Sequence, residues 1–265
     1  MRIAAIIPAR YGSSRFPGKP LSKLRRRFLI QHVIDRAHEA RQAGFIDEVM
    51  VATDDPRIAA AAEDAGARAV MTRADHATGT DRLAEAAAGT DAEVIVNIQG
   101  DEPLLQPQAV GDLLAPFRED SNLKMGSLKT PLPGPEVLAD PNLGKVVCDK
   151  CDCAITFTRL PLPEAHAADS YFQQSRVEEM ARQGYLEVFR TVGMYAYRRD
   201  FLKEFAKMST TPFERKERLE QLRALEHGVV VKVPTTPFVS LEVNTPEDLE
   251  RAEAAMAARE KSTGA

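Results

Sequence analysis

The sequence has no tryptophan, only three cysteines and no apolar run long enough to cross a lipid bilayer. Three cysteines among 265 residues do not form a disulfide framework, and an odd number favours a reducing compartment. The longest apolar run near the start, Ile3–Ala9, is too short for the core of a signal peptide with its cleavage site. We therefore expect a cytoplasmic protein with no membrane partner.

The chain also lacks a strong net charge, since 35 Lys and Arg residues stand against 39 Asp and Glu residues, giving −4. This balance argues against a general nucleic-acid binder. The charge is unevenly distributed, however, because eight of the basic residues lie within residues 1–34, which contain no acidic residue. A positive first segment in an acidic protein indicates a site for one small polyanion.

Continuous apolar runs in the first half predict strands that are buried on both faces of a parallel sheet. Helical patterns lie between these runs, and alternating strands and helices are typical of a doubly wound α/β core. The predicted strands cover residues 3–7, 48–53, 67–71 and 93–98, and the predicted helices cover 28–44, 56–66 and 80–89.

The second half has a different pattern, with two short strand-like runs at 145–148 and 154–159 that predict a hairpin. Thr245, Pro246 and the acids that follow predict the start of a final helix. The other predicted elements are helices at 175–183, 201–208 and 214–227 and strands at 191–197, 229–233 and 239–243. We expect one domain over 1–265, with a core of 1–120 plus 236–265 and an inserted antiparallel portion at 121–235.

The segment from Pro8 to Leu21 leaves the carboxyl end of the first predicted strand, where open α/β sheets bind their ligands. It combines glycines and serines with Arg10, Arg15 and Lys19, which are the donors that a polyphosphate requires. It is not a P-loop, because Pro20 stands where the hydroxyl that holds magnesium would be. A solvated basic loop is the alternative, and the position at the strand end favours phosphate binding.

Several motifs in this order resemble the sugar-activating cytidylyltransferases, and most closely the CMP-KDO synthetase (3-deoxy-manno-octulosonate cytidylyltransferase) family. The resemblance covers essentially the whole chain. The motifs are IIPARYGSSRFPGKPL from Ile6, VATDD from Val51, MTRADHATGTDRL from Met71, VNIQGDEP from Val96, LEQLRALE from Leu219 and NTPEDLE from Asn244.

This resemblance implies a Rossmann-like (GT-A-like) nucleotidyltransferase fold with a mixed, mainly parallel sheet flanked by helices, whose inserted portion binds sugar and forms a homodimer. It implies an enzyme that uses CTP and Mg²⁺ to activate KDO or a close acidic 3-deoxy-2-ulosonic sugar, for lipopolysaccharide or capsule assembly. The displacement requires no protein nucleophile, so positioning and charge neutralisation would supply the catalysis.

The same resemblance assigns roles to individual residues. The catalytic set would be Arg10, Lys19 and Asp101, with Lys19 steadying the leaving pyrophosphate. The nucleotide-binding residues would be Pro8, Ala9, Arg10, Ser13, Arg15, Lys19, Thr72, Arg73, Thr78, Gly79, Gln99 and Asp101. Gly79 and Thr80 also match the start of a helix, which is compatible with nucleotide binding.

Asp101 would hold Mg²⁺ at the end of a strand, beside the phosphates. The family's second magnesium ligand is an Asp directly before Thr-Pro-Glu-Asp, but this sequence has Asn244 there. Glu242, two residues earlier, would share a strand face with Asn244 and restore the missing charge. Alternatively, Glu242 meets an ammonium group on an amino sugar.

An acidic sugar requires a cation and several polar groups in its pocket. The resemblance points to Gln99, Lys145, Arg159, Tyr195, Glu217 and Gln221. Thr191 stands where the family usually has His. The substrate therefore has alternatives: 8-amino-KDO or another acidic sugar, or no turnover at all in a weakly active nucleotide-sugar-binding homologue that carries Asn244.

Overall fold

A computed structural model describes residues 1–12, 16–133, 137–138, 140–160, 187–239 and 241–263. The chain folds into two compact units. The first comprises Met1–Gly111, Ala196–Ala206 and Phe238–Ala265, and the second comprises Asp112–Tyr195 and Lys207–Pro237.

The first unit is built on four parallel strands, β1 (Ile3–Ala9), β4 (Glu48–Thr53), β5 (Arg68–Met71) and β6 (Val94–Asn97). Their order is β6-β1-β4-β5, and Ala5 lies opposite both Val49 and Val96. A short hairpin of β2 (Lys23–Leu24) and β3 (Arg27–Phe28) follows the first loop. Because β1 is central, its carboxyl end opens onto the edge where ligands bind in such sheets.

The helices of this unit bury their apolar stripes in its core. They are α1 (Leu29–Gln42), α2 (Pro56–Asp64), α3 (Gly79–Ala86), α5 (Arg199–Phe205) and α8 (Pro246–Thr263), with 3-10 turns at Lys19–Leu21 and Ala87–Gly89. Helix α4 (Pro107–Glu119) begins in the first unit and continues in the second. None of the helices in the described part of the chain is long and apolar enough to span a membrane.

The second unit contains β7 (Met125–Thr130), β8 (Lys145–Cys148), β9 (Ala154–Thr158), most of β10 (Glu187–Arg198) and β11 (Val231–Lys232). Strand β7 lies between β10 and the parallel strand β11, while β8 pairs antiparallel with both β10 and β9. Two short helices, α6 (Pro212–Glu217) and α7 (Leu222–Glu226), complete this unit.

The predicted α/β class, with its mainly parallel sheet, is confirmed, and so is the hairpin of β8 and β9. A single helix over 214–227 is wrong, because Arg218 has a φ of 56° and ends the first of two short helices. The strand over 239–243 is also wrong within the described residues, where the Val243 N–H donates instead to the Asp101 carbonyl. The predicted helix at 175–183 lies outside the described residues, and the domain division stays a prediction.

Candidate active site

The last residues of β1 are buried or half-buried, and the loop that follows them is exposed from its first residue. Ala9 is buried, Pro8 is half-buried and Arg10 is exposed. Gly18 closes the loop, because its N–H donates to the Tyr11 carbonyl at 2.9 Å. Gly18 has a φ of 71°, and a Cβ there would lie 3.1 Å from the Tyr11 ring, so the closure requires glycine. Ser13 and Arg15 lie outside the described residues.

Lys19 and Asp101 form an ion pair at the carboxyl edge of the sheet. The Lys19 Nζ lies 2.6 Å from Asp101 Oδ2, and the two side chains are 15% and 20% exposed. Lys19 begins the 3-10 turn after Gly18, and Asp101 follows β6, so 82 residues of sequence separate the partners. The structure therefore brings together two of the three predicted catalytic residues, and leaves both partly open to solvent.

The predicted metal ligands near the final helix lie on a segment that contacts Asp101 through its backbone. The Val243 N–H donates to the Asp101 carbonyl at 2.9 Å, so Glu242 and Asn244 flank this hydrogen bond. The Asn244 Nδ2 donates to Glu242 Oε2 at 3.1 Å, which places both side chains on one side of the segment although it is not a strand. Within the described residues, no group of three or more His, Cys, Asp or Glu side chains could hold a metal ion.

Thr72 lies at the end of β5 and is tied to the neighbouring strand. Its N–H donates to the Thr53 carbonyl at 2.8 Å, and its hydroxyl contacts the same oxygen at 3.2 Å. The buried Arg82 donates to the Thr72 hydroxyl and lies 3.5 Å from Asp54. One cation on α3 thus joins the ends of two strands.

Thr78 caps α3, just before the predicted helix start at Gly79 and Thr80. Its hydroxyl accepts from the Asp81 N–H, and the Asp81 carboxylate accepts from the Thr78 N–H. A Cβ on Gly79 would lie 3.9 Å from Pro8 Cγ, so the beginning of the helix lies beside the end of β1. Arg73 is exposed, and Gln99, two residues after the end of β6, is half-buried. The first unit therefore collects the described nucleotide-binding candidates at one sheet edge.

Lys145 in the second unit is fully buried, and its ammonium group contacts three backbone carbonyls. The acceptors are Asp140, Leu143 and Arg159, at 2.8, 3.2 and 3.3 Å. Burial lowers the pKa of Lys145. The Lys145 ammonium group therefore contacts the backbone of Arg159 and is not exposed to solvent in this conformation.

Glu217, another sugar-binding candidate of this unit, is hydrogen-bonded to the end of β9. Its carboxylate accepts from the Thr158 hydroxyl at 3.1 Å and from the Arg159 N–H at 2.9 Å. The Arg159 side chain is exposed and donates to the Asn142 carbonyl at 3.0 Å. Gln221 is buried, whereas Tyr195 on β10 is half-buried. The structure thus joins Lys145, Arg159 and Glu217 in one polar network.

Comparison with known proteins identifies the family. The family model described as Cytidylyltransferase matches residues 4–233. The chain belongs to the cytidylyltransferase family. Family membership makes the protein a nucleotidyltransferase, and it agrees with the phosphate-binding role predicted for the loop after β1.

Curated relatives within the cytidylyltransferase family align over nearly the whole chain. The 3-deoxy-manno-octulosonate cytidylyltransferase of Syntrophotalea carbinolica is 50% identical over 254 residues, which cover 96% of this chain and 98% of the relative. The protein of the same name from Geobacter sulfurreducens is 46% identical over 254 residues, covering 95% and 98%.

Solved structures of cytidylyltransferases have the same fold. A structure of CMP:2-keto-3-deoxy-manno-octonic acid synthetase complexed with CTP matches with a TM-score of 0.84 at 36% identity, covering 98% of this chain and 100% of that chain. The 4-diphosphocytidyl-2C-methyl-D-erythritol synthase of Anaerococcus prevotii matches with a TM-score of 0.59 at 13% identity, covering 97% and 98%, which shows the fold alone.

Sequence reasoning missed a contact that anchors the first loop of this cytidylyltransferase. The Arg57 guanidinium lies 3.9 Å from the centroid of the Tyr11 ring and forms an ion pair with Asp55 at 2.6 Å. Asp55 also caps α2 by accepting from the Arg57 N–H. The sequence contains the cap signal, but the contact with Tyr11 joins positions 46 residues apart and leaves no local pattern.

Proposed function

We propose that this cytidylyltransferase transfers CMP from CTP to 3-deoxy-D-manno-octulosonate (KDO), giving CMP-KDO and pyrophosphate. The names of relatives up to 50% identical over nearly the whole chain support this substrate. The structural observation that carries the proposal is the ion pair of Lys19 and Asp101 at the carboxyl edge of the sheet. It places a cation and a carboxylate beside a loop that begins with the exposed Arg10.

The chemistry is a displacement at phosphorus. The anomeric hydroxyl of KDO attacks the α-phosphate, a new P–O bond forms, the bond to the pyrophosphate oxygen breaks, and the proton of the hydroxyl is released to solvent. Arg10 and Lys19 bind the phosphate oxygens and offset the negative charge that develops on the leaving group. Thr72, Arg73, Thr78 and Gln99 orient the nucleoside, and the hydrogen bond from the Gly18 N–H to the Tyr11 carbonyl joins the two ends of the loop that carries the phosphate-binding candidates.

The residues beside Asp101 fit the requirements of a magnesium ion. Mg²⁺ takes one or two carboxylates from the protein and fills its octahedral shell with phosphate oxygens and water. Asp101 supplies one carboxylate, and the segment bonded to it supplies the Glu242 carboxylate and the Asn244 amide. We propose that these three residues hold the ion, which would neutralise phosphate charge when bound.

Glu242→Gln tests whether Glu242 replaces the charge that Asn244 lacks. The variant removes one negative charge and keeps the size of the side chain, so we expect the Mg²⁺ concentration for half-maximal rate to rise about tenfold. Binding of Mn²⁺ followed by electron paramagnetic resonance should weaken in parallel. Glu250→Gln, at an exposed position on α8, is the control. An unchanged metal requirement, combined with lost selectivity for an amino sugar, supports the alternative role of Glu242.

A substrate panel tests the function itself. Pyrophosphate release from CTP and Mg²⁺ is measured with KDO, 8-amino-KDO, N-acetylneuraminate or no sugar. We expect the highest kcat/KM with KDO. Preference for 8-amino-KDO would assign the protein to amino-sugar activation. Calorimetric binding of CTP without pyrophosphate release from any acid sugar would identify a nucleotide-sugar-binding homologue.

The same proposal includes a role in lipopolysaccharide or capsule biosynthesis and a homodimer formed through the inserted portion at 121–235. It also includes a cytoplasmic location, which the three free cysteines support.

Sedimentation equilibrium at micromolar concentrations checks the dimer, and a monomer would contradict it. Cell fractionation checks the location.

A further inference from the structure

Residues 72–78 connect β5 with α3 and carry three of the nucleotide-binding candidates: Thr72, Arg73 and Thr78. The two ends of this segment, which we call the nucleotide segment, are fixed by hydrogen bonds described above. Thr72 is bonded to the Thr53 carbonyl, and Thr78 is bonded reciprocally to Asp81. These hydrogen bonds do not fix the conformation of the five residues between the two ends.

The Glu85 carboxylate contacts the nucleotide segment at two positions, and within the segment Asp75 Oδ1 lies 3.5 Å from Arg73 Nε. Glu85 Oε2, on the second turn of α3, contacts His76 Nε2 and accepts from the Arg73 N–H at 3.3 Å. The Nε atom of Arg73 lies 3.8 Å from the same oxygen. One oxygen atom thus contacts two residues of the segment that are three positions apart.

The three side chains in these contacts differ in their exposure to solvent. The His76 side chain is 6% exposed, that of Glu85 is 35% exposed, and that of Arg73 is 69% exposed. The imidazole is therefore buried, while the Arg73 side chain is mostly exposed to solvent. Burial opposes the charged form of Glu85, but the hydrogen bonds from His76 and Arg73 outweigh it and lower the pKa of Glu85. The acceptor is consequently ionised at neutral pH.

The segment lies beside the end of β1, and its contacts with Glu85 are separate from the ion pair of Lys19 and Asp101. Gly79, which follows the segment, approaches Pro8 at the end of β1. Lys19 and Asp101 lie on the loops that follow β1 and β6, and they contact each other. Among the described residues, neither forms a hydrogen bond or ion pair with Glu85. A change in Glu85 should therefore affect nucleotide binding more than the displacement at phosphorus.

We propose that His76 and Glu85 are positioning residues that fix the nucleotide segment in the conformation that recognises CTP. The inference rests on the proposed function in assigning this segment to the nucleoside. Glu85 orients the Arg73 backbone directly, and it orients the residues that follow through His76. Without this pair the segment has to be ordered when the nucleotide binds, and the ordering cost weakens CTP affinity.

Glu85→Gln tests the proposal because the side chain keeps its size and loses its charge. We expect the KM for CTP and the calorimetric Kd of CTP to rise about tenfold, which corresponds to about 1.4 kcal/mol. The kcat at saturating CTP should stay within about twofold of the parent value, because positioning through ground-state binding changes KM with little effect on kcat. The preference for CTP over UTP should fall with the affinity. Glu63→Gln, at an exposed position on the neighbouring helix α2, is the matched control and should change none of these values.

Two further variants separate positioning from a purely structural role. His76→Gln keeps a hydrogen-bond donor for Glu85, whereas His76→Leu fills the site without one. We expect the glutamine variant to retain much more of the CTP affinity than the leucine variant. Thermal unfolding of each variant is measured in parallel. Unchanged KM and Kd in Glu85→Gln would overturn the proposal, and so would losses of kcat and thermal stability without a change in nucleotide affinity.

The result also separates this inference from the proposed function. If the parent protein binds CTP and releases pyrophosphate with KDO, but Glu85→Gln binds CTP equally well, only the positioning role fails. If the parent protein binds CTP and Glu85→Gln weakens that binding, but no acid sugar gives pyrophosphate, only the proposed reaction fails. A parent protein that binds no CTP would overturn both.

Discussion

At the scale of single residues, Lys19 shows how a side chain can be held in place for a charged ligand. Its ammonium group pairs with Asp101 while both side chains keep some exposure. An ion pair of this kind contributes little to folding, because solvent screens the attraction and two side chains lose freedom. Its value lies in orienting a donor at the edge of the sheet where phosphate would bind.

Lys19→Gln should therefore lower activity far more than stability. We expect kcat for pyrophosphate release to fall about 100-fold, as for the loss of one donor to a developing negative charge. The free energy of unfolding should change by less than about 1 kcal/mol. Steady-state kinetics and urea denaturation check the two values, and Lys207→Gln, at an exposed position outside the basic first segment, is the control. Equal losses of folding and activity would contradict the catalytic assignment.

At the scale of elements, the sequence predicts the strands of the first unit well. The strand at Glu48–Thr53 has the predicted bounds, because a continuous apolar run buried on both faces leaves few alternatives. The single helix predicted over 214–227 is wrong because Arg218 adopts a left-handed conformation. Nothing in the identity of that residue predicts this conformation. The contact of Val243 with Asp101 depends on chain folding over long distances, so local alternation could not exclude a strand there.

The placement of the candidate site is predictable to a similar extent. Motif resemblance points to Lys19, Asp101 and Thr72, which the structure places at one edge of the sheet, and their roles stay predictions. It does not find Glu85 or Arg57, whose partners lie in other elements. It does not indicate the three backbone carbonyls that the Lys145 ammonium group contacts, because the oxygens around a buried ammonium group depend on how the whole chain folds. The role of Lys145 in sugar binding stays a prediction.

Helix α2 provides a test at this scale, because Asp55 caps the helix and pairs with the arginine that contacts Tyr11. Asp55→Ala should lower the free energy of unfolding at pH 7 by about 1 kcal/mol, which is typical for a lost N-cap. It should also weaken CTP binding by loosening the contact between Arg57 and Tyr11. Urea denaturation and calorimetry measure the two effects, and Asp64→Ala, exposed at the other end of the helix, should show neither.

The pH dependence of this effect follows from the lowered pKa of Asp55, whose largest cause is the hydrogen bond from the Arg57 side chain. A carboxyl group with a lower pKa in the folded state stabilises the fold above its ordinary pKa of 3.8. That contribution is lost as the pH falls through the lower value of the folded state. The stability difference between the parent protein and Asp55→Ala should therefore shrink below about pH 4. A difference that is constant from pH 7 to pH 3 would show that the charge of Asp55 does not contribute.

At the scale of the whole molecule, the positive charge of residues 1–34 is partly compensated by acids from other parts of the chain. Arg2 pairs with Asp91, Lys19 pairs with Asp101, and Arg27 pairs with Asp35. Arg10, Lys23 and Arg26 are exposed. The first segment therefore keeps a local positive field in a protein whose net charge is −4.

This field should attract CTP over distances that salt can screen, since the Debye length falls from about 30 Å at 0.01 M to about 10 Å at 0.1 M salt. We expect the KM for CTP to rise about fivefold between about 20 and 300 mM KCl at constant free Mg²⁺, with kcat little changed, because steering acts on association. In the double variant Lys23→Gln, Arg26→Gln the KM at low salt should be about twofold higher and the rise with salt smaller. At 300 mM KCl the variant and the parent protein should converge. A KM that does not depend on salt in the parent protein would mean that contacts within the site, rather than the charge of the surrounding segment, determine CTP capture.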